Sequence, residues 1–81
     1  MKLIKAKGTI KTVLMSEDKR LDQLQKAVGG YIELVYLQGN KVMVVNEEGL
    51  IKRLPYNHKA SKIAGKNIVG DVIICDVNEI N

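Results

Sequence analysis

Residues 31–46 read YIELVYLQGNKVMVVN. The first seven are rich in β-branched and aromatic residues, the composition of a strand that packs on a pleated surface. Gln38-Gly39-Asn40 offers a tight turn centred on Gly39 and Asn40, two residue types that accept positive φ. Lys41–Asn46 then returns as the second arm of a hairpin. The following NEEG, residues 46–49, reads as another turn, and LIKRL, residues 50–54, as a further strand stopped by Pro55. Residues 31–54 are therefore expected to form a three-stranded meander.

The flanks extend this pattern. Over residues 2–15, Ile4, Ala6, Gly8 and Ile10 alternate with Lys5, Lys7, Thr9 and Lys11, the period of a half-buried strand, with Gly8 a candidate bulge. SEDKRLDQLQKAVGG, residues 16–30, reads as a helix. Ser16 is its N-cap, Glu17 and Asp18 suit the positive end of the dipole, and Leu21, Leu24 and Val28 make the apolar face. Lys26 lies near the last turn and Gly29 supplies the C-cap. NHKASKIAG, residues 57–65, reads as a short helix capped by Asn57 and ended by Gly65, with Ala60, Ile63 and Ala64 inward. NIVGDVIICDV, residues 67–77, closes the chain as a central strand, because Val72–Cys75 is apolar on both faces. The expected class is α+β: a mostly antiparallel five-stranded sheet with one longer and one short helix, the helices on one face, in a single domain over 1–81.

Composition bounds the function. The chain has 81 residues, 46% hydrophobic, and its aromatics are Tyr31, Tyr36 and Tyr56 alone. So thin a core favours a homo-oligomer, where partner surface adds burial. The net charge of +4 is compatible with anionic partners. One cysteine, Cys75, leaves no disulfide framework and no cysteine metal site, and points to a reducing, cytoplasmic setting. No stretch has the length of apolar residues that spans a bilayer, and Lys5 and Lys7 interrupt what would be the apolar core of a signal peptide.

Catalysis is hard to assemble. His58 is the single imidazole, Cys75 lies mid-strand in an apolar run, and the carboxylates form no paired motif. No metal set, phosphate loop or dinucleotide fingerprint occurs, and no cofactor is implied. Binding is easier to support. Lys5, Lys7 and Lys11 fall on one strand face, where alternate residues stand about 6.6 Å apart, near the spacing of nucleic-acid phosphates. The same lysines equally suit a solvated face that protects a sheet edge. The second candidate is RLPYNHKAS, residues 53–61. Its helix start presents free N–H groups, while Arg53, His58 and Lys59 put cations where the helix dipole disfavours them. A bound anion would relieve that conflict. The candidate ligand set is Asn46, Arg53, Tyr56, Asn57, His58 and Lys59, with Tyr56 packing on the organic part of a phosphate-bearing ligand. The alternative is that Asn57 merely caps and the cations point to solvent.

LQKAVGGYIELV, MVVNEEGLIKRLPYNHKA and IVGDVIIC together resemble an uncharacterised family of small proteins common in phages and Gram-positive mobile elements, over residues 21–76. Where that family often reads NRRA, this chain reads NHKA, with His58 and Lys59 in place of arginines. The resemblance implies a phage-like origin and a host-cell cytoplasmic setting. The family carries no agreed biochemical activity, but small phage proteins of this size often counter host defence or regulate phage genes, and the missing catalytic groups favour a non-catalytic role. Two expectations follow. One is a sponge for a small anionic signal such as a cyclic nucleotide or an ADP-ribose derivative. The other is a protein-binding inhibitor or nucleic-acid-binding accessory protein.

Overall fold

The computed structural model describes residues 1–80. Its elements run β1 (Lys2–Ile4), β2 (Ile10–Thr12), α1 (Arg20–Val28), β3 (Ile32–Tyr36), β4 (Lys41–Asn46), α2 (His58–Ala64), β5 (Val72–Asp76) and a 3-10 turn over Val77–Glu79. The strands form one antiparallel sheet in the order β2-β1-β5-β4-β3. The class is α+β, as the patterning predicts.

The β3–β4 hairpin forms around the quoted stretch. Ile32 pairs with Asn46 and Tyr36 with Val42, and both Gly39 (φ 68°) and Asn40 (φ 66°) take the left-handed conformation that the turn demands. β5 is central, held between β1 and β4, which explains its apolar run on both faces.

The five strands are not composed as the sequence suggests. Residues 2–15 are not one strand but a hairpin. The Lys5 N–H donates to the Thr9 carbonyl, the Gly8 N–H donates to the Lys5 carbonyl, and Gly8 sits at φ 108°. Lys-Ala-Lys-Gly-Thr alternates in polarity like a strand, but a side chain at position 8 would be strained, and the chain reverses there. The expected third meander strand, residues 50–54, is also absent. Gly49–Leu54 is a knot of turns in which the Lys52 N–H donates to the Glu48 carbonyl and the Leu54 N–H to the Gly49 carbonyl. A Cβ on Gly49 would lie 2.8 Å from Val69, so the close approach that folds this turn requires glycine.

The helices lie on opposite faces of the sheet, not on one. Alternation along β4 is the cause, since every residue from Val42 to Asn46 is buried. Met43 and Val45 pack with Ile4, Val72, Ala60 of α2 and Ile68. Val44 packs with Ile73 and with Leu24 and Val28 of α1. Helix α1 starts later than expected, at Arg20 after Lys19, so Ser16 is not its cap; the Ser16 N–H instead donates to Gln23 Oε1. Leu24 and Val28 are buried, but Leu21 is exposed. In α2, Ala60 is buried whereas Ile63 is exposed. Gly29 and Gly65 close the two helices in the left-handed conformation, as expected. No helix among the described residues is long and apolar enough to cross a membrane.

Candidate functional site

The RLPYNHKAS stretch is organised by Asn57, which is fully buried. Its Oδ1 accepts from the Ala60 N–H as the α2 N-cap. Its Nδ2 donates to the carbonyls of Ile4 at 3.0 Å and Gly70 at 2.8 Å, and its backbone N–H donates to the Ile68 carbonyl. A Tyr56–Val69 bridge continues this pairing. Asn57 thus ties helix, loop and β1 together, and no polar atom of its side chain is left for a ligand. Ser61 does related work, accepting from the Ile68 N–H and donating to the Ile68 carbonyl.

Asn46 is committed in the same way on the other face. Its Nδ2 donates to the Val28 carbonyl at the end of α1, and its Oδ1 accepts from the Glu48 N–H, an Asx turn that starts the knot. Arg53 is exposed and holds φ 55° within a turn. Tyr56 and His58 meet edge to face with ring centroids 4.6 Å apart, and Lys59 Nζ donates to the Gly8 carbonyl at 2.7 Å. Of the six candidates, then, Asn46 and Asn57 are structural, and Arg53, Tyr56, His58 and Lys59 stand on the surface. Helix α2 is too short, and its start too well capped by Asn57, to serve as an anion cradle.

The basic strand face also dissolves. Lys5 and Lys7 occupy the β1–β2 turn and Lys11 lies on β2, so the three do not make a regular ladder along one strand.

The concave feature lies elsewhere. Because α2 is short, it leaves the β3–β4 end of its sheet face open. There Val35 and Val45 form the floor of a groove of about 340 Å³. Ile68, Val69 and the Gly49–Ile51 turn, which packs against Val69, line it as well. Leu50 and Ile51 project at its rim, 79% and 81% exposed. Glu33, Glu47, Lys66 and Asn67 line the same groove. Two adjacent, strongly exposed aliphatic side chains thus stand beside a concave apolar floor. Sequence reading missed them by assigning LIKRL to a strand. The one available signal was the Glu48/Lys52 spacing of a helical turn, realised here as a 3.9 Å ion pair.

Groups suited to covalent chemistry are not at this surface. Cys75 is buried in β5, and burial pushes its thiol above the ordinary value, with the Glu79 carboxylate adding to the shift. Among the described residues no cluster of His, Cys, Asp and Glu could hold a metal ion.

Comparison with known proteins places the whole chain, residues 1–81, under one family model, "Domain of unknown function (DUF3846)". The chain belongs to the DUF3846 family. No curated protein and no solved structure matches it. The DUF3846 match covers the β1–β2 hairpin and α1 as well as the motifs of residues 21–76 that first suggested a family.

Proposed function

We propose that this DUF3846 chain is a non-catalytic protein-binding module whose contact surface is the groove rimmed by Leu50 and Ile51. The observation that carries the reading is the exposure of those two side chains beside an open apolar floor. Burying each against a partner contributes roughly 1.5–3 kcal/mol. Glu33 and Glu47 outnumber Lys66, the one cation of the groove lining among the described residues, and so favour a partner segment that combines apolar side chains with a cation. The resemblance to phage and mobile-element proteins supports reading the partner as a host protein and the outcome as inhibition.

The nucleotide-sponge reading is the weaker one. It retains only the exposed Arg53, Tyr56, His58 and Lys59 as support, because both asparagines are spent inside the fold.

The test is site-specific photo-crosslinking in the native host, with the reactive group at position 51 and, as a control, at the exposed position 62. A defined protein adduct from position 51 that disappears on Glu33→Lys plus Glu47→Lys supports the reading. Equal labelling from both positions, together with calorimetric binding of a cyclic nucleotide or ADP-ribose derivative to the wild type, would reverse the ranking.

A further inference from the structure

The two edges of the sheet are protected very differently. Edge strand β2 is three residues long, fully exposed, and carries Lys11. That is a blunted edge. Edge strand β3 is five residues long and reads IELVY, with no Pro, Gly or Lys and a single charge, Glu33.

The register shows which backbone groups of β3 are open. The Leu37 N–H donates to the Lys41 carbonyl, and the Glu47 N–H donates to the Tyr31 carbonyl. Hydrogen-bonded pairs alternate along an antiparallel ladder. Residues 31, 33, 35 and 37 therefore face β4, and Ile32, Leu34 and Tyr36 direct their N–H and C=O groups outward. Among the described residues no hydrogen bond outside the strand ladder involves these outward groups. Tyr36, 69% exposed, marks the end of this open row.

We infer that β3 pairs antiparallel with β3 of a second copy about a two-fold axis at Leu34, joining two sheets into one. The sequence of the strand selects this partner and this register. Centred on Leu34, Ile32 lies opposite Tyr36 of the second copy and Leu34 opposite its own equivalent, so every outward N–H meets an outward carbonyl. Glu33 then lies opposite Val35 of the second copy rather than opposite a like charge. Sliding the centre to Glu33 sets two carboxylates against each other. Sliding it to Val35 leaves Ile32 without a partner. An apolar aromatic–aliphatic pair and a self-matched leucine are what an isologous interface needs. The pairing also supplies burial to a domain whose own core is small. It brings Glu33 of the second copy beside Val35, at the β3 edge of the Leu50–Ile51 groove, and does not depend on the function proposed for that groove.

The experiment combines sedimentation with residue-resolved amide exchange on the full chain. Wild type at micromolar concentration should sediment at twice the chain mass. The Ile32, Leu34 and Tyr36 amides should be protected in that state and lose protection on dilution, while the Glu33 and Val35 amides stay protected throughout. Tyr36→Pro removes an outward donor without touching the β4 ladder. It should give a folded monomer whose unfolding midpoint matches that of wild type diluted to its monomeric state. A wild type that stays monomeric at every concentration would overturn the inference. So would a dimer in which those three amides exchange as fast as loop amides, a result that needs no variant to fold.

Discussion

The Nδ2 of Asn57 donates to the Ile4 carbonyl at 3.0 Å, across 53 positions of chain. Through that bond the start of α2 is fastened to β1, and a residue that reads as a simple helix cap becomes the joint of the α2-side core. The same amide group holds Gly70, whose φ of 79° turns the chain into β5.

Asn57→Asp separates the two roles. The carboxylate can still accept from the Ala60 N–H, but it cannot donate to the Ile4 and Gly70 carbonyls. Leaving buried acceptors without donors costs about 1–3 kcal/mol each. With two such acceptors, and a carboxylate placed in a fully buried site, denaturant unfolding should show a loss of at least about 2 kcal/mol. A change within about 0.5 kcal/mol would mean that capping is the whole role of Asn57.

How far the sequence spoke depended on whether local chemistry and tertiary context agreed. The β3–β4 hairpin was legible because alternation, turn residues and β-propensity point the same way. The central position of β5 was legible from its two-sided apolar run. Residues 2–12 were misread because a hairpin with an alternating five-residue loop carries the same period as one strand, and only Gly8 betrays the turn. Helix placement on opposite faces was hidden in β4, whose successive buried residues serve two cores at once.

Cys75 should behave as a core residue. Its buried, upshifted thiol predicts alkylation only at the rate at which the chain opens, so labelling should accelerate with denaturant in step with unfolding. Prompt modification of the native protein would contradict the burial of β5.

Lys41 Nζ lies 2.6 Å from Asp76 Oδ1, bridging β4 and β5 at their exposed ends. Its hydrogen bond to Asp76, and then the charge of that carboxylate, raise the ammonium pKa above the ordinary lysine value. A raised folded-state pKa gives stability that is present below the unfolded value and lost as pH rises through the folded one. The thermal midpoint of wild type should therefore fall relative to Lys41→Met on the alkaline side of the lysine range, and the gap should shrink with added salt. Parallel curves at all pH values would show that the pair contributes nothing.

The candidate site was less legible than the fold. Asn57 and the cations near it looked like a ligand set because cations stood at a helix start, and Asn46 joined them as the end of a strand in the same expected meander. Their side chains turn to different structural tasks, Asn46 to the end of α1 and Asn57 to β1 and Gly70. Leu50 and Ile51 escaped notice because an exposed apolar pair in a turn and a buried pair in a strand have the same letters. Only the tertiary fold, with Gly49 packed under Val69, shows that they point outward.

The most direct measurement is calorimetry of the crosslinked partner, once purified, against three forms of the chain: wild type, Leu50→Ser plus Ile51→Ser, and Arg53→Ala plus Lys59→Ala. Loss of two buried apolar contacts predicts at least about a tenfold weakening in the first double variant. The second should bind within about twofold of wild type, as expected for exposed cations outside the contact. Undiminished binding by the serine variant, with binding abolished in the Arg53/Lys59 variant, would contradict the account and move the site to the basic surface beside α2.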